Sequence, residues 1–323
     1  MNFILKKLVF ILFLTLTLSS NYAGQCRVGV ECSDIYSSLI FNYNNGNIIS
    51  EVRSMQTIYP ASLVKLMTVY ITFEEIKNNK LKFNQKLTIS SRGEEVSNIN
   101  KINTLKLKKG DQISVKQAIR GTIIKSFNEA SVTLAEAISG DEWKFAKLMN
   151  KKARELGMFD TSFKNSTGLH HQGQYTTAFD LARLVKALKN NFPQYYHLFS
   201  QENFKYKDKK FITHNNVLLD YPGAEGLKTG FTRASGFNLI SIAKRNRNRL
   251  VSILANCSSH ELRDEQTIDA FNQSFDIINS SKISYKKNKM SHQIDNKFNY
   301  NKISKKQIDL NARNYSIRFG GGI

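Results

Sequence analysis

The chain has few cysteines and no clustered histidines, and each scarcity excludes a class of protein. Its 323 residues include only three cysteines, which excludes a disulfide scaffold, and their spacing does not fit a zinc site. The six histidines form no H-E-x-x-H motif or similar ligand cluster, so we expect no metal and no cofactor. Cys26 and Cys32 lie close enough to pair in an oxidising compartment, and Cys257 ends an apolar run, which predicts a buried thiol.

The N-terminus has the pattern of a secretory signal peptide. Lys6 and Lys7 form a positive n-region, the apolar run 8–18 follows, and small residues surround Ala23 and Gly24. An uncleaved membrane anchor is the alternative, but a bilayer core needs about 20 apolar residues. We therefore expect a signal peptide over residues 1–24, cleavage near Ala23 or Gly24, and an exported, periplasmic protein.

Acidic residues are scarce, because 26 Asp and Glu stand against 47 Lys and Arg, and the net charge is +21. In an exported protein this charge suits anionic lipid headgroups or cell-wall polymers, and we expect no nucleic acid partner. Compositional drift explains the charge equally well, because the chain is rich in Lys, Asn, Ile and Ser, as an AT-biased genome would produce. From about Ser281 the chain is polar and basic without a sustained period, which predicts a flexible tail over 281–323 after a domain over 25–280.

Strand patterns lie near both ends of the predicted domain, and helix patterns fill its middle. Asn45-Gly46 between apolar runs predicts a hairpin, and an apolar helix follows Pro60, with Ser62 able to cap its first turn. Residues 114–157 are mostly helical in pattern, and strands return after about residue 210. The simplest assembly is an α+β fold in which one antiparallel sheet is built from both chain ends, flanked by helices, with an inserted helical subdomain.

Two further helix ends carry capping signals. The helix after Asp141 and Glu142 ends at Gly157, which gives it an acidic start and a glycine stop. Thr177 and Asp180 have the spacing of a capping box for the next helix.

Ser62 and Lys65 have the spacing of a serine nucleophile and its base. Three positions apart on a helix, the two side chains share a face. A serine hydroxyl needs a group that accepts its proton, and a lysine does so only when burial or neighbouring cations lower its pKa. The spacing alone decides nothing, because it recurs at Ser284 and Lys287 in the polar tail.

Two further polar sites complete a possible constellation. Ser126 and Asn128 lie at a break between two apolar helices, and Lys228, Thr229 and Gly230 lie on a short strand. Taken singly, Ser62 and Asn128 are ordinary helix caps and Lys228 an ordinary surface lysine. Jointly, Ser-x-x-Lys, Ser-x-Asn and Lys-Thr-Gly in this order are the motifs of penicillin-recognising serine enzymes.

The chain resembles the low-molecular-mass penicillin-binding proteins, which are serine-type D-alanyl-D-alanine carboxypeptidases of the SxxK/SxN/KTG type. The resemblance covers roughly residues 33–280 and implies the β-lactamase/transpeptidase-like fold, which agrees with the element order. The matching blocks are "YPASLVKLMTVY", "KSFNEASVTLAEAISG", "FAKLMNKKARELGMFDTSFKNSTGL", "TTAFDLARL", "EGLKTGFTRASGFNLISIA" and "LRDEQ".

The resemblance also implies roles for the site residues. Ser62 would be the nucleophile and Lys65 its base, while Ser126 and Asn128 would assist proton transfer and hold the substrate amide. Lys228 would supply positive potential, and Thr229 would hold the terminal carboxylate near Arg263 and beside Gly230. The backbone N–H groups of Ser62 and Phe231 would form the oxyanion hole. Two residues depart from the family: Phe127 replaces a small residue and could narrow the cleft, and Asn215 stands where relatives often carry arginine.

The resemblance implies removal of the terminal D-alanine from peptidoglycan stem peptides, with β-lactam antibiotics as covalent inhibitors. A D,D-endopeptidase that cuts cross-links would use the same residues. A β-lactamase would need a glutamate to orient water, and no convincing Glu-x-x-x-Asn block lies between residues 128 and 228, because Glu142 falls within a well-patterned helix. A non-catalytic wall-binding protein is the alternative from another class. The basic tail could attach the protein peripherally to an anionic membrane surface.

Overall fold

A computed structural model describes residues 37–99 and 104–279. The predicted signal peptide, the Cys26–Cys32 pair and the basic tail lie outside these described residues. Cys257 is buried, as its position at the end of an apolar run predicts.

The main sheet is antiparallel and takes its five strands from the two ends of the described chain. Its strand order is β2-β1-β9-β8-β7, so the N-terminal hairpin packs beside the C-terminal meander. Two small two-stranded sheets accompany it. The strands are β1 (Ser37–Asn42), β2 (Ile48–Val52), β3 (Lys86–Thr88), β4 (Gln112–Ser114), β5 (Asn203–Tyr206), β6 (Lys209–Ile212), β7 (Ala224–Thr232), β8 (Gly236–Arg245) and β9 (Asn248–Cys257).

Eight α-helices lie within the described residues, most of them between β2 and β7 in the chain. They are α1 (Lys65–Lys77), α2 (Ser91–Ile99), α3 (Val115–Arg120), α4 (Asn128–Ser139), α5 (Glu142–Glu155), α6 (Ala178–Asn191), α7 (Asn216–Asp220) and α8 (His260–Asn279). Three irregular helical segments supplement them: 3₁₀ turns at Ala61–Val64 and Pro193–Ser200, and a π-helical turn at Gly121–Lys125.

Helix α1 is the central helix of the core. Ten of its 13 residues are buried, and the buried positions lie on every side of the helix. A helix that is apolar all round packs within a core rather than on a surface. Helices α4, α5 and α6 pack against it, so the first residue of α1, Lys65, lies inside the protein.

The predicted α+β class and the main sheet built from both chain ends are confirmed. The hairpin at Asn45-Gly46 joins β1 to β2 as expected. Strands return earlier in the chain than the predicted position after residue 210, because the β5–β6 hairpin begins at Asn203. The predicted inserted region also contains the short β3–β4 pair, whose three-residue strands are too brief to leave a periodic signal.

Two predicted caps differ from the structure. Ser62 is not a first-turn cap, because the N-cap of α1 is Val64, and the Ser62 hydroxyl accepts a hydrogen bond from Lys65 instead. Thr177 caps α6 by accepting from the Asp180 N–H, but the box is not reciprocal. The Asp180 carboxylate instead accepts from the backbone N–H of Asp160 and from other donors. Asp141 caps α5 as predicted, through the N–H of Lys144.

Candidate active site

A cleft of about 470 Å³ lies where the 3₁₀ turn, the start of α4 and strand β7 meet. It brings together most of the residues that the sequence motifs predict. Those that line it are Ser62, Ser126, Asn128, Thr229, Gly230, Phe231 and Arg263. Lys65 and Lys228 are buried around this cleft, with 0% and 2% of their surface exposed.

The Lys65 ammonium group connects the first two motifs. Its Nζ lies 3.0 Å from Ser62 Oγ and 2.9 Å from Asn128 Oδ1, and it also contacts the backbone oxygen of Thr167. The contact with Ser62 follows from their spacing, since the 3₁₀ turn leads directly into α1. The contact with Thr167 comes from a loop a hundred residues further along the chain and carries no local sequence signal.

Burial lowers the pKa of Lys65 from 10.5 to about 7. The carboxylates of Glu129 and Glu142 act in the opposite direction and raise it. A large share of the Lys65 amines is therefore neutral near pH 7, as a base requires. Burial therefore lowers the Lys65 pKa in the direction that the sequence analysis requires of a lysine base.

Ser126 ends the π-helical turn in a left-handed conformation, with φ of 64°. This conformation is unfavourable for a residue with a Cβ atom and occurs mainly at sites where the surroundings enforce it. Among the described residues, no group forms a hydrogen bond with the buried Ser126 Oγ. The next helix begins at Asn128, whose side chain holds Lys65, so the break between the two helices places both polar groups at the cleft.

Strand β7 forms the opposite wall, and its Gly230 allows the strand to lie close to Ser62. A Cβ atom at Gly230 would lie 3.1 Å from both Pro60 O and Ser62 N, so a larger residue would push the strand away. The Lys228 Nζ donates to Thr229 O at 2.8 Å. Burial, followed by the charges of Lys65 and Arg263, lowers the pKa of Lys228 well below its usual range.

The backbone before Ser62 is held from two sides. Asn238 on β8 donates to Tyr59 O at 3.1 Å and to Pro60 O at 3.3 Å. On the other side Gly168 packs so closely that a Cβ there would lie 2.0 Å from Ala61 O, and its φ is +84°. Ala61 itself has φ of 47°, a strained value for a residue with a side chain. The position of Ser62 is therefore set by the sheet and by the loop that carries Gly168.

Cationic groups converge at the end of the cleft near Thr229. Arg263, from α8, is 4% exposed and is oriented by Asp264, whose Oδ1 lies 2.8 Å from Nε and 2.7 Å from Nη2 of the arginine. Burial, followed by the charges of Lys125, Lys228 and Arg263, lowers the pKa of His214 to about 3. His214 is thus neutral at physiological pH, and this end of the cleft has a positive potential that favours a carboxylate.

The two residues that depart from the family pattern are both buried. Phe127 does not narrow the cleft, because it is fully buried and packs against Phe204 and Phe211 of the β5–β6 hairpin. The left-handed turn at Ser126 directs Asn128 toward the cleft and Phe127 into the core. Asn215 is buried and caps α7 by accepting from Leu218 N at 3.2 Å.

Sequence reasoning missed several residues that line the cleft. They share no motif, and they come from the loop after α5, the segment that leads into α7, the end of β7, and the beginnings of β8 and α8. These residues are Gly168, Leu169, Thr213, His214, Asn216, Thr232, Phe237 and His260. The block "NSTGL" would have been a signal for the first two, since it follows a helix and ends in a glycine that packs against the Ser62 turn.

Within the described residues, no group of three or more His, Cys, Asp and Glu side chains is placed to hold a metal ion. No helix in the same part of the chain is both long and apolar enough to cross a membrane.

Known proteins resemble this chain in sequence. The model of the family described as D-alanyl-D-alanine carboxypeptidase, Peptidase_S11, matches residues 30–259. The chain is 32% identical to D-alanyl-D-alanine carboxypeptidase DacF of Bacillus subtilis, over 78% of this chain and 64% of that protein. It therefore spans a little under two thirds of that relative's length.

Solved structures show the same fold. Penicillin binding protein 6B of Escherichia coli is 31% identical with a TM-score of 0.69, and the match covers 74% of this chain and 77% of that one. Penicillin-Binding Protein D2 of Listeria monocytogenes, solved in its ampicillin-bound form, is 27% identical with a TM-score of 0.65. That match covers 75% of this chain and 97% of the other.

Proposed function

This chain belongs to the D-alanyl-D-alanine carboxypeptidase family, and from that premise we propose that it removes the terminal D-alanine from peptidoglycan stem peptides through an acyl-enzyme on Ser62. One observation carries the proposal above the others. The Ser62 hydroxyl lies 3.0 Å from a buried lysine amine whose pKa is about 7, so a nucleophile and its base are already in contact.

The reaction begins when Ser62 Oγ attacks the carbonyl carbon between the two D-alanines and Lys65 Nζ accepts the hydroxyl proton. The backbone N–H groups of Ser62 and Phe231 stabilise the resulting oxyanion. Collapse of the tetrahedral intermediate breaks the peptide bond, and the leaving amine takes the proton that Lys65 had accepted. That proton passes through the Ser126 hydroxyl, which has no competing partner in the described structure. Water then hydrolyses the ester, and the trimmed stem and D-alanine are the products.

Substrate binding uses the positive end of the cleft. The terminal carboxylate is held by the Thr229 hydroxyl beside the buried side chains of Lys228 and Arg263, and Gly230 lets the substrate backbone approach the strand. Asn128, already bound to Lys65 through Oδ1, has its amide N–H₂ to offer a substrate carbonyl. β-Lactams enter the same cleft and acylate Ser62, which fits the ampicillin-bound relative.

A β-lactamase fits the site less well. Among the cleft-lining residues that the structure describes, none is a glutamate. Glu142 is engaged elsewhere: its Oε1 accepts from the N–H and hydroxyl of Ser166, and its Oε2 accepts from Arg92. It is therefore not available to orient a deacylating water.

The deciding experiment is mass spectrometry of a D-Ala-D-Ala pentapeptide and of a cross-linked dimer, each incubated with the purified protein and with Ser62→Ala. If the native protein removes one D-alanine from the pentapeptide and Ser62→Ala does not, the carboxypeptidase proposal is supported. Cleavage of the dimer only would favour the endopeptidase. No turnover of either, together with no labelling of Ser62 by penicillin, would favour a non-catalytic wall-binding protein.

We also propose that the protein is exported to the periplasm, on the strength of the charged and apolar pattern of residues 1–24. The tail over 281–323 holds ten Lys and Arg against two Asp, and such a segment is attracted to anionic lipid by about 1 kcal/mol per nearby charge. Co-sedimentation with anionic and neutral vesicles, for the exported chain and for a chain ending at Ser280, tests a membrane tether. Equal sedimentation of both chains would contradict it and favour compositional drift.

A further inference from the structure

The loop after α5 reaches the nucleophile and its base with main-chain atoms. The Thr167 oxygen contacts the Lys65 amine, and Gly168 packs against the turn that carries Ser62. A loop can hold an amine in place only if the loop is itself held, because connecting segments are mobile unless other contacts fix them. The contacts that fix residues 166–168 therefore decide how firmly Lys65 is placed.

Glu142 holds this loop from outside the cleft. Its Oε1 accepts from the N–H of Ser166 at 3.0 Å and from the Ser166 hydroxyl at 2.7 Å, and Ser166 is fully buried. The Ser166 oxygen in turn accepts from Thr68 Oγ1 at 2.8 Å, and Thr68 lies one turn after Lys65 on α1. The residue directly before Thr167 is thus fixed both by a carboxylate and by the helix that carries the base.

Glu142 is itself fixed by a contact from another helix. Its Oε2 accepts from Nε of Arg92 on α2 at 3.1 Å, and only 13% of its side chain is exposed. It is also the first residue of α5, where the positive end of the helix dipole favours a carboxylate. A carboxylate with two donors on one oxygen and a guanidinium on the other is held in one orientation. Contacts therefore run without a break from Arg92 through Glu142 to Ser166.

Glu142 also acts on Lys65 through its charge. Burial lowers the pKa of Lys65, and the carboxylates of Glu129 on α4 and Glu142 on α5 act against it, while the buried Lys228 on β7 lies close enough to interact with Lys65. Glu129 binds a different segment, because its Oε1 accepts from the chain between α2 and β4. Removing the Glu142 carboxylate should therefore have two separable effects: the lost hydrogen bonds loosen the loop, and the lost charge lowers the pKa of Lys65.

We propose that Glu142 is a positioning residue for the Lys65 base, because through Ser166 it fixes the Thr167 carbonyl against the lysine amine. The proposal rests on the proposed function for the role of Lys65 in acylation. Glu142 does not line the cleft, and it acts on the reaction only through the loop and through its charge. Without it, the amine loses a fixed acceptor and is less often held within reach of the nucleophile.

The test compares two substitutions of the same carboxylate. The rate of Ser62 labelling by a fluorescent penicillin is measured against pH, and NMR of isotope-labelled lysine side chains follows the Lys65 titration, assigned by its loss in Lys65→Arg. Glu142→Gln keeps an oxygen that can accept from Ser166, so the plateau rate should stay close to native while the rising limb moves to lower pH. Glu142→Ala removes the acceptor as well, and its plateau should fall by about tenfold to a hundredfold.

The Lys65 titration gives a second measure that does not require acylation. In Glu142→Gln its midpoint should lie below that of the native protein. In Glu142→Ala it should lie above that of Glu142→Gln, because a loosened loop admits water and weakens the burial that lowers the pKa. Equal midpoints in the two variants would overturn the positioning role.

The matched control is Glu95→Gln, which removes the other carboxylate that contacts Arg92, at 2.9 Å, and is not among the charges that affect Lys65. It should leave the plateau and the midpoint as in the native protein. An unchanged plateau in Glu142→Ala, or an equal loss in Glu95→Gln, would overturn the proposal. If Glu142→Ala does not fold, Ser166→Ala, which removes one of the two donors to Glu142, should lower the plateau, and a native plateau there would overturn the proposal.

Failure of this inference can be told apart from failure of the proposed function. A native protein that labels at Ser62 and trims the pentapeptide, with a native plateau in Glu142→Ala, keeps the carboxypeptidase and loses the positioning role. A native protein that is never labelled loses the acyl-enzyme, and the Lys65 midpoints in the two Glu142 variants then decide the positioning role alone.

Discussion

The buried position of Lys65 predicts how acylation depends on pH. A lysine with the ordinary pKa of 10.5 is neutral in only about one molecule in 3,000 at pH 7, whereas a pKa of about 7 makes about half of the molecules neutral. The structure therefore supplies about a thousandfold more reactive base at neutral pH. Because only the neutral amine accepts the Ser62 proton, the acylation rate should rise with pH through about 7 and then reach a plateau.

The assay is the second-order rate of Ser62 labelling by a fluorescent penicillin, measured from pH 5.5 to 9.5 by stopped-flow mixing. Lys65→Arg keeps a cation in place but has no neutral form in this range, so it should lose acylation at every pH. Glu129→Gln removes a charge that raises the pKa of Lys65, and its rising limb should move to lower pH. The surface substitution Glu155→Gln should leave the limb where it is, because Glu155 is not among the charges that affect Lys65.

Three results would refute this reasoning. A rate that is flat across the range would mean that proton removal by Lys65 does not limit acylation. A rate in the native protein that still rises at pH 9.5 without a plateau would mean that burial does not lower the pKa of Lys65. A limb in Glu129→Gln that moves to higher pH would show that the sign of the electrostatic interaction is wrong.

Three further substitutions test the supports of the site. Gly168→Ala places a Cβ 2.0 Å from Ala61 O and should slow penicillin labelling of Ser62 about a hundredfold. The control is Gly110→Ala, which is also at positive φ but has no atom within 4 Å of the added Cβ, and it should leave the labelling rate unchanged. Asn238→Ala removes the donors to the backbone before Ser62 and should lower the free energy of unfolding by about 1–3 kcal/mol in urea titration, and an unchanged midpoint would contradict it. Phe127→Ala should cost about 3–5 kcal/mol in the same titration, since it empties a fully buried ring site; a loss below about 1 kcal/mol would mean that the ring does not pack as described.

The sequence was sufficient for the parts of the site that depend on local spacing. Ser62 and Lys65 meet because the two residues lie three apart where a 3₁₀ turn leads into a helix, and the Lys-Thr-Gly strand lies beside them as its motif predicts. The assignment of Ser62 as a cap failed because the helix proper starts one turn later. The 3₁₀ turn before it is set by tertiary contacts from Asn238 and Gly168.

Features that depend on distant backbone left no signal in the sequence. The Thr167 carbonyl is an acceptor for Lys65 through its main chain, and any residue there would present the same oxygen. Phe127 was expected to narrow the cleft because it replaces a small residue of the family pattern. The left-handed conformation of Ser126 reverses that expectation by sending the ring into the core, and φ values of this kind follow from the completed fold.

The pairing of β1 with β9 affects the order in which the protein can fold. Ser37 pairs with Ala255, so more than 200 residues must be synthesised between the two strands before they can meet. Closing so long a loop costs entropy before any contact offsets it, and folds dominated by distant pairings form slowly. Ser62 is synthesised early, but it faces the Lys-Thr-Gly strand only after β7, β8 and β9 have been synthesised and have left the ribosome. We therefore expect an incomplete chain to hold Ser62 apart from the Lys-Thr-Gly strand, and to gain penicillin labelling only once the C-terminal strands have joined the sheet.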